Sequence, residues 1–312
     1  MTNSTSPWFL IANPKAGGGK AQKDWNKIQR TLDTVGLGYD CVWTERPFHA
    51  IDLVRSALEK GYRKFAALGG DGTVNEVING IFSQQLVPSR ELLFGVLPIG
   101  TGNDWARTYR IPKAYAKSIP LLKKAKSRVQ DIGKVTYNRD GVSHTRFFNN
   151  VLGLCFDAFV ADQTKDQSKS GLKGQLFYLL GVLKCLGKYS CPTLHVQGEG
   201  IDFHGPAILA NVGLCRFSGG GMQLVPQAIP GDGLFDITIV EALTPAQVYR
   251  RLPLLYNGKL YKDSHVHHFR SSWVTVSATP DSLLEVDGEN LGEIPASIDL
   301  LPAALNVVCN VE

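Results

Sequence analysis

At 312 residues, 44% hydrophobic and 20% charged, the sequence carries enough apolar material for two cores and falls in the ordinary globular class. Its net charge of +5 is too mild to argue for nucleic acid, and no DNA- or RNA-binding signature accompanies it, while weak attraction to an anionic membrane surface stays open. Six cysteines (Cys41, Cys155, Cys185, Cys191, Cys215, Cys309) lack a CxxC pair in a chain too large to need staples, so they read as free thiols of a reducing cytosol.

The first apolar run, Trp8 to Ala12, reads as a strand; it is too short for the core of a signal peptide and has no basic stretch before it, so export is not expected. Trp25, Ile28, Leu32 and Val35 follow at helical spacing and stop at Gly36, a natural helix C-terminus. Next come a strand over 39–43, a helix carrying Ile51, Val54 and Leu58 that ends at Gly61, and a strand over 65–68. A glycine-rich turn then opens a helix with Val74, Val77, Ile78 and Ile81 on one face. A strand over 92–98 again ends in a glycine turn and a short helix through Trp105. This alternation is the signature of parallel β-α units. In such sheets, ligands sit at the carboxyl ends of strands. Lys123, Lys124, Lys126 and Arg128 read as a solvated helix end.

Beyond residue 130 the texture turns to strand-like runs: DIGKVTYN, TRFFNNVLGLCF, TLHVQGEGIDF, PAILANVGLCRF, LFDITIVEAL, HHFRSSWVTVSA and SLLEVDGE. They predict a β-rich second domain interrupted by helices over 174–188 and 245–255. The helix over 172–186 carries Leu172, Leu176, Leu179, Leu180 and Leu183 at helical spacing among lysines. It suits an acyl pocket, a membrane surface or plain core packing, and Lys173 and Lys184 interrupt it too soon for a membrane span. His265, His267 and His268 fall on alternating faces of a predicted strand, which argues against a shared metal.

Four glycine-bearing turns hold the chemistry: NPKAGGGK at 13–20, GGDGTVNE at 69–76, PIGTGND at 98–104 and GDG at 231–233. A strand that ends in Gly69, Gly70, Asp71 and Gly72 and runs straight into a helix lets bare backbone N–H groups approach an anion. Asp71 is oddly placed for simple anion binding unless Mg2+ stands between its carboxylate and a phosphate, so a metal–nucleotide is the economical ligand. The P-loop and dinucleotide-binding spacings both fail: Ala21 follows Gly19-Lys20, and neither Gly70-x-Gly72 nor Gly100-x-Gly102 gains its third glycine.

NPKAGGGK, GGDGTVNEVINGI, LPIGTGNDWAR and the late EVDGE, in this order along almost the whole chain, resemble the diacylglycerol kinase catalytic family, which includes sphingosine kinases and bacterial lipid kinases. The resemblance implies an N-terminal α/β domain related to NAD kinases and phosphofructokinases over 1–130, and a β-sandwich lipid-binding domain over 131–295. The segment 296–312 is free to return to the N-terminal domain, and the active site is expected in the interdomain cleft. It also implies ATP and Mg2+ as cofactors, with Asn13, Pro14, Lys15, Ala16, Gly17, Thr44, Gly70, Asp71, Gly72, Thr73, Val74, Asn75, Glu76 and Thr101 around the nucleotide. Glu289 is implied as general base.

The residues give Glu289 their own reason, because phosphoryl transfer needs an acceptor for the lipid hydroxyl proton, and a carboxylate on the turn Val286-Asp287-Gly288-Glu289 can be aimed into a cleft. Asp287 is its expected partner, and neighbouring carboxylates should raise the pKa of one of them. Read without the resemblance, this turn is also an ordinary solvated acidic hairpin. The family's structural magnesium site maps onto PGDGLFD, with the Asp232 carboxylate and the carbonyls of Ile229 and Leu234 as ligands, against a plain Asp-Gly hairpin. The resemblance also implies that Asp162 in FVAD matches the residue that contacts the lipid headgroup in sphingosine kinases. The resulting expectation is an ATP-dependent lipid kinase in the cytoplasm, with a lipid substrate met at the membrane surface, no transmembrane segment and a homodimer allowed. A kinase of a soluble acceptor and an idle lipid-binding regulator are the alternatives, the latter opposed by the presence of Asp71 and Glu289.

Overall fold

The computed structural model describes residues 6–164, 186–187 and 189–310. The chain divides into two units: Met1–Ile132, Pro230–Asp232 and Leu301–Glu312 form the first, and Gly133–Ile229 with Gly233–Leu300 the second. Neither unit is a contiguous stretch of sequence.

The first unit is built on five parallel strands. These are β1 (Trp8–Ala12), β2 (Tyr39–Trp43), β3 (Lys64–Gly69), β4 (Leu93–Pro98) and the end of β15 (Ala296–Val308), in the order β2-β1-β3-β4-β15. Every residue of β1, β3 and β4 is buried, as expected of strands covered on both faces, which explains their continuous apolar runs. Helices α2 (Trp25–Val35) and α6 (Tyr115–Lys124) place Ile28, Leu32, Ile119 and Leu122 against Leu10, Ala66 and Leu97. Each such leucine or isoleucine contributes roughly 1.5–3 kcal/mol. Gly36 ends α2 in the left-handed conformation at φ 66°. Helices α1 (Ala16–Lys23), α3 (His49–Glu59), α4 (Asp71–Phe82) and α5 (Asp104–Thr108) complete the unit. Because β1 lies between β2 and β3, the strand order reverses at the β1/β3 pair. The crevice at their carboxyl ends is where open α/β sheets take ligands.

Two helices of this unit, α1 and α6, escape the apolar periodicity: three glycines dilute α1, and Pro120 stands inside α6. The basic stretch expected as a helix end divides, since α6 stops at Lys124 and Arg128 belongs to β5 (Ser127–Arg139).

In the second unit, β6 (Val142–Phe148) pairs with β5. One antiparallel sheet runs β14 (Glu289–Glu293), β13 (Leu283–Val286), β7 (Val151–Cys155), β9 (Ile201–Gly213), β10 (Phe235–Glu241), β11 (Val266–Ser271). A second runs β9, β8 (Thr193–Gly198), β12 (Trp273–Thr279), β15. Strand β9 serves both: its first half pairs with β8 and its second half with β7 and β10. Helix α7 (Phe156–Thr164) packs on β7 and β13.

Two apolar runs are each broken in two. TRFFNNVLGLCF divides at the buried Asn149 and Asn150 into β6 and β7, and HHFRSSWVTVSA divides at Ser271 into strands of different sheets. The helix expected over 245–255 is present as α8 (Pro245–Arg251) and α9 (Leu254–Asn257), while the one over 172–186 lies outside the described residues except for Leu186. His267 and His268 bond to Glu241 and Asp236, and among the described residues no three His, Cys, Asp or Glu side chains group as metal ligands.

Candidate active site

In the first unit, three loops meet at the carboxyl ends of β1, β3 and β4. Asn13, directly after β1, donates from Nδ2 to Thr73 Oγ1 at 3.3 Å, and its Oδ1 accepts the Lys15 N–H at 2.9 Å. Its own N–H bonds Leu68 O at 3.1 Å, so the first loop is tied to both the strand and the helix of the second. Gly17 is required here: it has φ 60°, and a Cβ at this position would sit 2.5 Å from the Ile99 carbonyl oxygen. Thr44, after β2, donates its N–H to Ala12 O at 2.8 Å and so stands at the same end of the sheet.

The second and third loops lie back to back. A Cβ on Gly100 would fall 2.5 Å from Gly70 Cα and 2.7 Å from Asn103 Oδ1, a fit only bare backbone permits. Asn103 locks the turn by accepting the Gly100 N–H at 2.7 Å and donating to Gly100 O at 2.6 Å. Gly70 caps α4 without any side-chain bond, leaving the first N–H groups of this 12-residue helix without intrahelical acceptors, as at any helix start. Asp71 Oδ1 accepts the Trp105 N–H at 3.2 Å. Its Oδ2 and the Asp104 Oδ2 each stand 3.1 Å from where a Cβ of Gly102 would be. Asp104, buried at 4% exposure, is thus a second carboxylate at this point.

Other predicted nucleotide residues serve the scaffold. The side chains of Thr73, Val74 and Asn75 are buried, and Asn75 Oδ1 accepts from Asn79 Nδ2 at 3.0 Å, so at Val74 and Asn75 the main chain is what a ligand could meet. Glu76 Oε2 accepts the Ala50 N–H at the start of α3, at 3.4 Å. Lys15, Gly17, Gly72 and Thr101 are exposed, Pro14 and Gly70 partly so, and Ala16 is buried.

In the second unit, β13 turns into β14 through Asp287 (φ 50°) and Gly288 (φ 89°), a pair of left-handed residues that suits a tight hairpin. Asp287 is fastened to β7, its Oδ1 accepting the Val151 N–H at 3.1 Å while its own N–H bonds Val151 O at 3.1 Å. The Glu289 carboxylate meets Arg146 Nη2 at 2.7 Å, with the arginine side chain only 12% exposed. Asp162, on α7, accepts from Asn290 Nδ2 at 3.1 Å, which joins it to the residue after Glu289.

Two carboxyls close to this hairpin have raised pKa values. Burial, then the neighbouring Asp157, raises Glu285 well above the usual range, and burial raises Asp157 to about 6 although the Asn211 side chain pulls the other way. Sequence reasoning missed Arg146, Asp157, Asn211 and Glu285. For Asn211 and Glu285 the signal was a polar residue inside an otherwise apolar strand, whereas Arg146 in the polar β6 and Asp157 in α7 had none before the strands are paired.

Ile229, Asp232 and Leu234 lie in the loop before β10, where Pro230 O accepts the Asp131 N–H at 2.7 Å and Ile229 is 51% exposed. One carboxylate and two carbonyls are a hard-oxygen donor set that fits magnesium.

The family model of the diacylglycerol kinase catalytic domain matches residues 7–135, and that of the YegS C-terminal NAD kinase beta sandwich-like domain matches residues 150–309. A diacylglycerol kinase of Staphylococcus aureus (strain bovine RF122 / ET3-1) is 30% identical over 288 residues, covering 92% of this chain and 87% of the relative. One of Staphylococcus saprophyticus is 29% identical, with 92% and 90% covered. Among solved structures, a diacylglycerol kinase from Bacillus anthracis str. Sterne has a TM-score of 0.73 at 22% identity, covering 97% of each chain. Yeast NADH kinase complexed with NADH has a TM-score of 0.52 at 10% identity, covering 98% of this chain and 85% of that one. These two likenesses show the fold, an α/β first unit and a β-sandwich second unit of NAD kinase-like type. With both halves matched and a relative at 30% identity across 92% of its length, this chain belongs to the diacylglycerol kinase family of ATP-using phosphotransferases.

Proposed function

We propose that the chain is a lipid kinase that transfers the γ-phosphoryl group of ATP to the hydroxyl of diacylglycerol or a related lipid. The observation that carries this reading is the meeting of three glycine loops at the carboxyl ends of β1, β3 and β4, with Asp71 at their junction. Backbone N–H groups at the start of α4 suit a nucleotide's phosphates, and Asn13, Thr44 and Thr101 border the same end of the sheet. Asp71 and Asp104 are the residues that would hold Mg2+, which supplies charge neutralisation on the transferring phosphates.

In the second unit Glu289 takes the proton of the lipid hydroxyl, whose oxygen then bonds to the γ-phosphorus as ADP departs. General-base help of this kind is worth about 10²- to 10⁴-fold. Arg146 holds the Glu289 carboxylate in one orientation, Asp287 anchors the turn to β7, and Asp162 is the residue offered to the lipid headgroup. A structural Mg2+ would be taken by Asp232 with the carbonyls of Ile229 and Leu234. No helix among the described residues is long and apolar enough to cross a membrane.

The test incubates the purified chain with radiolabelled ATP, Mg2+ and a panel of micellar lipids beside NAD, comparing wild type with Glu289→Gln. Label entering a lipid only with wild type supports both class and base. Label in NAD would move the assignment to a soluble acceptor, and label in nothing to a regulator.

A further inference from the structure

The carboxylates of the second unit do not stop at the hairpin. Glu285 on β13 lies opposite Gly153 on β7, and Gly153 lies opposite Asn211 on β9, so the three form one row across the sheet. The missing side chain at Gly153 is filled from both neighbours: a Cβ there would stand 2.4 Å from Glu285 Oε1 and 3.1 Å from Asp157 Cβ. Glu285 is 6% exposed. Its Oε2 accepts the Gly288 N–H at 2.6 Å, closing the turn that presents Glu289. Asp157, from the first turn of α7, has its Oδ2 bonded by the Asn211 amide at 2.8 Å. Two carboxyls crowding one enclosed space do not both ionise cheaply, and the one with the better donor keeps the charge.

We propose that Glu285 is a positioning residue for the Glu289 hairpin, held as an uncharged carboxylic acid beside an ionised Asp157, so that it closes the Asp287–Gly288 turn without adding a negative charge behind the base. The inference rests on the reading of Glu289 as base. The groups around Glu285 agree with it. Asp157 faces it from α7, Asp287 from the turn and Glu289 from β14, the last carrying the guanidinium of Arg146 from β6, and the donor to Glu285 itself is the Gly288 main-chain N–H. Burial first and Asp157 second raise the Glu285 carboxyl well above the usual range. Asp157, at about 6, is ionised at neutral pH. A glutamine at 285 reproduces the uncharged state and keeps an oxygen for the Gly288 N–H, whereas alanine removes the acceptor.

The experiment joins a spectroscopic readout to a kinetic one on the full chain. Infrared difference spectra at neutral pH should contain a carboxylic-acid C=O band in wild type and in Glu289→Gln that is absent from Glu285→Gln; this arm needs no acceptor substrate. With ATP and diacylglycerol micelles, Glu285→Gln should hold kcat within about threefold of wild type, while Glu285→Ala should lower kcat about 100-fold with KM for ATP unchanged, the cost of a base displaced by about 1 Å. No acid band in wild type, equal losses in the glutamine and alanine variants, or wild-type kcat in Glu285→Ala would each overturn the proposal. Should Glu285→Ala not fold, the band and the glutamine variant decide. Full activity in Glu289→Gln would instead remove the base reading, with the band still deciding the protonation of Glu285.

Discussion

Replacing Asp157 by asparagine isolates the cost of keeping a carboxyl next to Glu285. The folded chain raises the Asp157 pKa from an ordinary 3.8 to about 6, chiefly by burial. Because the folded chain then holds this proton more tightly than the unfolded one, the linked stability is complete below pH 3.8 and disappears as pH rises through about 6. At 1.36 kcal/mol per decade the full difference is roughly 3 kcal/mol. Asp157 retains some exposed surface, so screening trims this to about 2 kcal/mol. Asparagine keeps the shape and an oxygen for the Asn211 amide but does not titrate. Denaturant unfolding of wild type and Asp157→Asn at pH 4.5 and pH 7.5, followed by a probe in the second unit, should therefore show wild type losing about 1 kcal/mol relative to the variant, since pH 4.5 already lies above the unfolded pKa and part of the total is lost below it. Groups distant from Asp157 cancel in the comparison, whereas Glu285, which feels the Asp157 charge, does not. A stability difference that stays constant between the two pH values would refute the idea that Asp157 is a strained acid in this enclosure.

Three further outcomes are expected. Gly100→Ala puts a methyl group 2.5 Å from Gly70 Cα, so the two loops must part, and KM for ATP should rise at least about tenfold, or ~1.4 kcal/mol, in an ATP titration; an unchanged KM would separate these loops from the nucleotide. Arg146→Met removes the 2.7 Å partner of Glu289 and should lower kcat about 100-fold while KM for ATP stays within about twofold, and an unaffected kcat would show the pair to be incidental. Asp71→Ala should abolish detectable phosphoryl transfer with an unchanged circular-dichroism spectrum, and near wild-type activity would overturn the assignment of its loop.

The first unit is largely legible in the sequence because a parallel sheet buries both faces of its strands and each strand therefore appears as an unbroken apolar run bounded by glycine turns. The loops at 13–20, 69–76 and 98–104 could be found without coordinates, because bare backbone is what close approach needs. What escaped there is what periodicity cannot see: α1, whose glycines take left-handed angles inside a helical segment, and α6 with its internal proline. In the second unit individual strands were visible, yet their partners were not. Register alone brings Glu285, Gly153 and Asn211 into one row, and they are separated by more than 50 residues along the chain. Arg146 reads locally as one cation in an exposed hairpin, and only pairing places it against Glu289. Glycine turns mark the proposed nucleotide half because its features are local, whereas the proposed acid–base half is assembled from distant strands.

Strand β15 carries a consequence for how the protein is made. The parallel sheet of the first unit is completed by Asn306 and Val307 alongside Leu93 and Phe94 of β4, residues translated only after the whole of the second unit. During synthesis, then, β1 through β4 emerge early and can pair, but β4 must wait with an apolar, unpaired edge while well over a hundred further residues leave the ribosome. Such an edge is a ready template for wrong partners. The nascent chain should accordingly be most vulnerable to aggregation, and most dependent on chaperones, in the interval between the appearance of β4 and that of β15.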